Sequence, residues 1–469
     1  ETTYPVTYDS DVLLHKFDLN GNLMWTKTYG GTLDEYGESV QQTSDGGYII
    51  SGFKGGILSG DDFFIIKTNS IGDTIWTKII GGASSSGEWS YSIIETSTGD
   101  FVACGYTYSY GQGSSDIYVI KLNSLGTIQW SKTYGDIDSD NGNQIRETSD
   151  GGYIITGDSE NSTNYKDDAF LLKIDVNGTL LWNKTYGTFA EDDRVSALYQ
   201  LPAPDNGFVI VGETTSSGAT NDFYVVRTNA AGVEQWSYAY DGGGTDYADA
   251  VCSNGSGGFI ISGSTYSFGG DDALLVNIDA NGNVVWSKIY GIPGAAYARS
   301  VIQTADGGFA FSGEVSDNVF IVKMDASGNS GCNQNNVTVT KSAISNVSNS
   351  TFVAGNGGVE YNGTIDLHTR SVSQTIICVN VSVNEIAKDA NINIYPNPFS
   401  VSTTVKFLNF TGDIYRLDLF DFTGKLVHSI TDVKDNRVIL SRENINSGIY
   451  LIQLKDNNGL VYSKKVIIE

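Results

Sequence analysis

The stretch SDGGYIISG at residues 44–52 decides the fold, because close copies of it return along the chain. Its copies are SDGGYIITG at 149–157, GSGGFIISG at 255–263 and ADGGFAFSG at 305–313. Asp-Gly and Gly-Gly supply the positive φ values that tight hairpin turns need, and an aromatic residue then opens an apolar run. Because STGDF at 97–101 and PDNGF at 204–208 make the same step with the acid in another place, we interpret the phrase as a strand hairpin rather than a catalytic loop.

Tryptophan marks the period of this repeat. Six of the seven tryptophans recur at intervals of 50 to 54 residues, at Trp25, Trp76, Trp130, Trp182, Trp236 and Trp286. Each interval contains four apolar segments of strand length separated by Gly, Asn and Asp turns, which we label strands A to D. The pattern predicts an all-β fold, a β-propeller of about seven four-stranded blades, with each tryptophan packing one blade onto the next.

The repeat is incomplete at both ends of its range. Residues 1–17 align with 213–228, so the N-terminal blade is predicted to lack its A and B strands. Residues 296–325 supply a last A, B and C strand without the usual tryptophan after them. Because the chain begins at Glu1 rather than at Met, we expect its start to have been processed or truncated.

Composition divides the chain into three predicted segments. Residues 1–334 are the propeller, 335–388 are a connector rich in Ser, Thr, Asn and Val with some strand alternation, and 389–469 are a smaller β domain. The last segment has short strands separated by Gly, Asn and Asp turns, which is compatible with a small Ig-like β-sandwich.

Four motifs near the C-terminus carry a family resemblance: NINIYPNPF (391–399), LDLFDFTGKLV (417–427), INSGIYLIQL (445–454) and YSKKVIIE (462–469). Together and in this order they resemble the type A sorting domain of the type IX secretion system. The residues that carry the resemblance are Tyr395, Pro396, Asn397, Pro398, Gly424, Lys425, Gly448, Tyr450, Lys464 and Lys465.

The resemblance implies recognition by the type IX translocon and sortase. It also implies a protein that is secreted or attached to the outer face of the outer membrane of a Gram-negative bacterium. The repeat unit itself resembles secreted and surface β-propellers of such bacteria, some of which are labelled as glycan-degrading enzymes.

The charge is strongly acidic, with a formal net charge of −26. Residues after 334 carry equal numbers of acidic and basic side chains, so the whole excess lies in the repeat region. Such a surface repels nucleic acid and anionic lipid and attracts cations. The sequence also contains no apolar run of about 18 residues, so no membrane span is predicted.

Calcium is the candidate cofactor. The loop DIDSDNGNQIRE sets Asp136, Asp138 and Asp140 at positions one, three and five and Glu147 at position twelve, as in a calcium loop of the EF-hand type. The same segment also aligns with 31–42 as an ordinary connection between blades. Acids at the start of every strand C form a second candidate cation region, and strand capping is their alternative explanation.

Other candidate chemistry is sparse. Cys332 and Cys378 flank the connector and could form a disulfide in an exported protein. The chain has three histidines, of which His15 lies in the predicted propeller. A Ser-His-Asp catalytic triad or a multi-histidine metal site is therefore excluded in the propeller.

Three functions stay open at this point. The first is a binding or adhesion module for a glycan, a protein or a surface polymer. The second is a secreted polysaccharide hydrolase that uses two carboxylates near the channel. The third is a structural surface protein. Exposed aromatic residues clustered on one face would favour binding, and two close carboxylates in a cleft would favour hydrolysis.

Overall fold

The computed structural model describes most of the chain in detail. The described residues are 10–18, 21–55, 60–82, 87–161, 163–188, 190–216, 218, 220–291, 295–316, 318–331, 334–344, 353–356, 359–361, 366–368, 393–407, 415–420, 426–442, 445–455 and 461–468. They contain strands and no helix, which confirms the all-β prediction. The chain divides into two compact units, 1–381 and 382–469.

Unit 1 is a series of antiparallel sheets built from strands that follow one another along the chain. Sheet 1 contains β1 (Val12–Phe17) and β2 (Leu23–Gly30). Sheet 2 contains β3 (Glu35–Gln42), β4 (Tyr48–Gly55), β5 (Asp61–Thr68) and β6 (Thr74–Gly81). Sheet 3 contains β7 (Glu88–Glu95), β8 (Phe101–Thr107), β9 (Asp116–Leu122) and β10 (Ile128–Gly135). Sheet 4 contains β11 (Asp140–Glu147), β12 (Tyr153–Asn161), β13 (Lys166–Ile174) and β14 (Leu180–Tyr186).

The series continues with the same strand order, A to D. Sheet 5 contains β15 (Asp193–Gln200), β16 (Phe208–Thr214), β17 (Asp222–Thr228) and β18 (Glu234–Asp241). Sheet 6 contains β19 (Asp246–Ser253), β20 (Phe259–Thr265), β21 (Asp272–Ile278) and β22 (Val284–Tyr290). Sheet 7 contains β23 (Ala296–Gln303), β24 (Phe309–Val315) and β25 (Asn318–Met324). SDGGYIISG therefore joins strand A to strand B of sheet 2.

Each inner sheet of the series buries both of its faces. In β5, Phe63 and Ile65 pack with sheet 3, whereas Phe64 and Ile66 pack with sheet 1. Successive side chains of a strand point to opposite faces, so an unbroken apolar run serves two neighbours. This serial stacking is the arrangement of propeller blades, and closure of the series into a ring of about seven blades stays a prediction.

Short strands from 334 to 368, which we call the return segment, add to the outer edges of these sheets. They are β26 (Gln334–Asn336) on β22, β27 (Thr340–Ala343) on β18, β28 (Val353–Asn356) on β10, β29 (Val359–Tyr361) on β6 and β30 (Asp366–His368) on β2. The segment thus runs back along the series from sheet 6 to sheet 1. By bonding to strand D, it covers edges that would otherwise present unpaired backbone groups.

Unit 2 contains two sheets that enclose one core. One sheet has the order β31 (Asn393–Tyr395), β32 (Ser402–Lys406) and β35 (Arg437–Ser441). The other has the order β34 (Leu426–Val433), β33 (Tyr415–Phe420), β36 (Gly448–Lys455) and β37 (Val461–Ile468). Val405 and Leu440 of the first sheet pack with Leu417, Ile452 and Val466 of the second. This is a small β-sandwich.

Candidate functional site

The six repeat tryptophans lie on strand D of sheets 1 to 6, each half-buried. Five of the rings lie against the glycine of the C to D turn in the following sheet: Trp25 on Gly72, Trp76 on Gly126, Trp130 on Gly178, Trp182 on Gly232 and Trp286 on Gly328. A Cβ at those glycines would lie only 2.7 to 3.2 Å from the ring, so any larger residue would force the ring to shift. The indole Nε1 of Trp76 also donates to the carbonyl of Ser124 at 3.3 Å. These rings therefore stabilise the packing of neighbouring sheets, and the candidate functional site is formed by other residues.

A second repeated residue, which sequence reasoning missed, joins the same elements. A buried tyrosine late in strand D donates its hydroxyl to the carbonyl of the turn glycine in the next sheet, at 2.6 to 2.7 Å: Tyr29 to Gly72, Tyr134 to Gly178, Tyr186 to Gly232, Tyr240 to Gly282 and Tyr290 to Gly328. Sheet 2 has Ile80 at this position. The recurring KTYG motif was the available signal.

The A and B strands of sheets 5, 6 and 7 enclose a cavity of about 600 Å³. Its lining combines tyrosine rings with charged and small polar groups: Ser196, Glu213, Tyr247, Ala248, Asp249, Ser264, Tyr266, Ala295, Tyr297, Arg299, Glu314 and Ser316. Tyr266 is 45% exposed, and its hydroxyl lies 3.4 Å from that of Tyr297. The cavity therefore offers flat apolar faces next to hydrogen-bonding groups.

Arg299 organises the charges of this cavity. Its guanidinium lies 3.4 Å from Asp249 Oδ1 and 3.1 Å from Glu314 Oε1, and 5.0 Å from the centre of the Tyr297 ring. Burial raises the pKa of Asp249 to about 6, although Arg299 favours its charged form and Glu213 opposes it. Asp249 Oδ2 is buried and has no hydrogen-bond donor within the described residues.

Aromatic residues also cluster on the A and B strands of sheets 2 and 3. Tyr36 stacks on Phe53 with ring centres 4.7 Å apart, and Trp89 stacks on Tyr106 at 5.0 Å. Phe53 and Trp89 meet edge to face at 6.1 Å, which joins the two stacks. Tyr36 is 41% exposed. We call this group the aromatic cluster.

The aromatic cluster and the cavity both lie on A and B strands, the cluster in sheets 2 and 3 and the cavity in sheets 5, 6 and 7. Glu38 follows Tyr36 on β3, and Arg299 on β23 lies near enough to favour its charged form. The pKa of Glu38 is nevertheless raised, because desolvation by the surrounding protein atoms outweighs that attraction. The A strands of sheets 2 and 7 are thus within electrostatic range of each other. We call the surface formed by the A strands and the adjoining ends of the B strands the A-strand surface.

Acids also face each other between consecutive sheets. An acid early in strand C of one sheet lies opposite the acid that begins strand A of the next: Asp11 and Glu35, Asp62 and Glu88, Asp116 and Asp140, Asp168 and Asp193, and Asp222 and Asp246. Burial raises the pKa of Asp62 to about 6 and that of Asp168 to about 7, and the acid opposite each one raises it further. Sequence reasoning found the strand C acids but missed their partners.

The four residues predicted for calcium do not come together as one loop. The amide of Asp136 donates to Asp140 Oδ2 at 2.8 Å, and the amide of Asp138 donates to Asp136 Oδ1 at 2.9 Å. Glu147 ends β11, about 23 Å of extended strand away from Asp140. There it accepts hydrogen bonds from the amide and hydroxyl of Ser97, at 2.6 and 2.8 Å.

The residues of the sorting motif divide between strands and a turn of unit 2. Tyr395 is exposed, the carbonyl of Pro396 accepts a hydrogen bond from Thr403, and the amide of Ile467 donates to Asn397 Oδ1 at 2.8 Å. Gly448 begins β36, and the hydroxyl of the largely buried Tyr450 donates to the carbonyl of Asn446.

The structure describes some of the other predicted residues and not the rest. Pro398 lies in the segment after β31, and Lys464 and Lys465 pair through their backbones with β36. Gly424, Lys425, Cys332 and Cys378 lie outside the described residues, and so does the predicted disulfide. Within the described residues, Cys104 and Cys252 are free thiols.

Comparison with known proteins defines the class of the chain through its C-terminal unit. Residues 393–469 match the family described as "Secretion system C-terminal sorting domain". The chain is therefore an all-β repeat protein that carries a type IX sorting domain, and it is exported to the cell surface or secreted. The described part contains no helix able to cross a membrane.

One curated relative is an endo-acting ulvan lyase of Formosa agariphila, 30% identical over 115 residues. The match covers 24% of this chain and 22% of that protein, so the chain spans about a fifth of the relative's length. Among solved structures, Sqt1 of Chaetomium thermophilum is 12% identical, with a TM-score of 0.37, over 62% of this chain and 70% of that one. The extracellular domain of a hybrid two component system from B. thetaiotaomicron is 9% identical, with a TM-score of 0.26, over 98% and 74%.

Proposed function

We propose that the repeat region is the binding module of this exported protein and that it holds a neutral polysaccharide on the A-strand surface. The observation that carries the proposal is the concentration of accessible aromatic rings there, in the aromatic cluster and in the cavity. Sugar rings present apolar C–H faces and hydroxyl edges. Flat side chains next to carboxylates and an arginine complement both.

Charge narrows the ligand class. The acidic excess of the repeat region disfavours a polyanion, because like charges repel over the approach path. The basic groups near the cavity are already paired, Arg299 with Asp249 and Glu314 and Arg194 with Glu213. A neutral glycan is bound without disrupting these pairs, and a protein or another surface polymer is the competing outcome of the test below.

Asp249 supports a second candidate, a carboxylate-based polysaccharide hydrolase. A carboxyl with a pKa of about 6 keeps part of its population protonated at slightly acidic pH, where an ordinary aspartate is fully ionised, and general acid catalysis needs that protonated form. Glu213 is the candidate second carboxylate, since it also lines the cavity and its charge acts on Asp249. The similarity of part of the chain to a polysaccharide lyase is in keeping with either a binding or a degrading role.

A glycan array and a reducing-sugar assay on the same protein separate the two candidates. Glycan binding without turnover supports the binding module. The affinity for the glycan should then be at least tenfold weaker in Tyr266→Ala and unchanged in Tyr165→Ala. Tyr165 is the matched control because it is a tyrosine with 78% exposure in the turn after β12. If the protein releases reducing ends and Asp249→Asn abolishes this release, the hydrolase is supported and the binding-only role is contradicted. Binding to no glycan would contradict both.

A further inference from the structure

The A strands of sheets 2 to 7 all contain a β-bulge at the same place. In sheets 2 to 6 the pairing with strand B leaves one residue of strand A without a partner, and in sheet 7 it leaves out Ala298 and the exposed Arg299. A bulge of this kind redirects the side chain of the unpaired residue. The accessible side chains at this position, which we call the bulge residues, are Glu38, Tyr91, Asn143, Ser196, Asp249 and Arg299.

The bulge position differs from the repeat positions that maintain the fold. Strand D has the same tryptophan in six sheets, whereas the bulge position has six different residue types, and each of them has a hydrogen-bonding group. An exposed position on strand D is apolar in four of six sheets: Met24, Ile75, Gln129, Leu181, Gln235 and Val285. Exposure alone therefore does not account for six polar side chains at the bulge. A repeat surface that contacts a ligand with one side chain from each repeat does.

Four of the bulge residues form a continuous row from sheet 4 to sheet 7. Asn143 Nδ2 donates to the carbonyl of Val195, the residue before Ser196, at 2.8 Å. Ser196, Asp249 and Arg299 all line the cavity. A guanidinium nitrogen of Arg299 lies 3.4 Å from Asp249 Oδ1.

Electrostatic effects join the other two bulge residues to both ends of this row. Desolvation raises the pKa of Tyr91, and the charges of Glu38 in sheet 2 and Asp158 in sheet 4 raise it further. Asp158 accepts hydrogen bonds from Asn143 Nδ2 at 3.2 and 3.3 Å. Arg299 of sheet 7 in turn acts on Glu38 of sheet 2. The series of contacts thus returns to its start, and the six bulge residues share one region of the A-strand surface.

Aromatic rings border this region. In four sheets an aromatic residue stands two positions before the bulge residue: Tyr36, Trp89, Tyr247 and Tyr297. The guanidinium of Arg299 lies 5.0 Å from the centre of the Tyr297 ring, so one bound sugar can contact a ring and a bulge residue together.

Asp249 indicates that a hydrogen-bond donor belongs in this region. Its Oδ1 lies within hydrogen-bond distance of Arg299, but its buried Oδ2 has no donor within the part of the chain that the structure describes. A buried acceptor without a donor costs free energy, and a donor from a ligand removes that cost. A sugar hydroxyl is such a donor.

We propose that the bulge residues determine which sugar the A-strand surface accepts, because they bind the hydroxyl groups of a neutral glycan whose apolar face lies on the neighbouring rings. This inference rests on the proposed binding function. Stacking on an apolar face depends little on the configuration of a single hydroxyl. A site built to hydrogen-bond a hydroxyl, in contrast, strongly rejects a ligand that lacks it there. Affinity and selectivity therefore depend on different residues of the same strands.

Calorimetric titration of the full chain at pH 7.5 with two pairs of hexasaccharides tests the proposal. The pairs are β-1,4-glucan with β-1,4-mannan and β-1,3-glucan with β-1,3-galactan, and the sugars of each pair differ in the configuration of one hydroxyl. The wild type should distinguish the members of at least one pair by tenfold or more. Asn143→Ala and Asp249→Asn should each reduce this ratio at least threefold, whereas Tyr36→Ala should weaken both members of the pair by the same factor.

Two further variants complete the test. Ser196→Ala, at an exposed serine, should also reduce the ratio, and it reports on selectivity even if Asn143→Ala does not fold. Asn335→Ala, at an exposed asparagine of β26, should change neither affinity nor ratio. A wild type without selectivity, or an unchanged ratio in the bulge variants, would overturn the proposal and leave the binding function standing. A wild type that binds none of the four hexasaccharides would contradict the proposed function itself, and this inference with it.

Discussion

The hydroxyl of Tyr134 provides a direct test of how one sheet is fastened to the next. Tyr134 is fully buried, and its hydroxyl donates to the carbonyl of Gly178 at 2.6 Å. Tyr134→Phe keeps the ring and its packing but leaves the buried carbonyl without its donor. Leaving such a group unsatisfied costs about 1–3 kcal/mol, so we expect the free energy of unfolding to fall by about 1–2 kcal/mol.

Urea unfolding followed by tryptophan fluorescence measures this loss, because all seven tryptophans lie in the repeat region. Tyr240→Phe removes the corresponding bond two sheets away, and the two losses should add within about 0.5 kcal/mol. Tyr165→Phe, at an exposed tyrosine, should change stability by less than about 0.5 kcal/mol. A loss below 0.5 kcal/mol in both buried variants would refute the idea that these tyrosines fasten neighbouring sheets.

Three further predictions concern titration, the return segment and export. Burial raises the pKa of Asp158 to about 7, so the folded state holds this proton longer than the unfolded state and stability falls between about pH 4 and pH 7. In urea unfolding, the change in the free energy of unfolding caused by Asp158→Asn should therefore be more favourable at pH 8 than at pH 4, by about 1 kcal/mol or more. An equal effect of the substitution at both pH values would contradict this. Ser287→Ala removes the 2.6 Å hydrogen bond to the carbonyl of Val337, so limited proteolysis should cut 334–368 several times faster; an unchanged rate would count against this anchor. Deletion of 393–469 should leave the protein inside the cell in fractionation blots, whereas unaltered export would contradict the assigned sorting domain.

Much of unit 1 could be predicted from the sequence because the same local sequence signals recur in every repeat of about 50 residues. The glycine turns set the strand ends, and the unbroken apolar runs indicate burial on both faces. Phe63 and Phe64 illustrate this, since adjacent residues of β5 pack with different sheets. The sorting domain was predictable because its motifs are specific in identity and order, and the family match confirms it.

Contacts across long distances in sequence could not be predicted. The strands of the return segment are three or four residues long, and Ser237 bonds to Ile344, 107 residues away. The pairing of Asp116 with Asp140 requires the stacking of two sheets, which one repeat does not reveal. Trp89 falls outside the regular tryptophan period, so its place in the aromatic cluster depended on the packing of β7 beside β4.

The central claim is that this exported protein binds its ligand on the A-strand surface. Affinity electrophoresis tests this claim most directly, with gels that each contain one neutral polysaccharide. The wild type should be retarded by at least one polysaccharide, and the Tyr36→Ala/Tyr266→Ala variant, which removes one exposed ring from the aromatic cluster and one from the cavity, should migrate as in an empty gel. Tyr165→Ala should be retarded like the wild type. Equal retardation of all three proteins would contradict the claim.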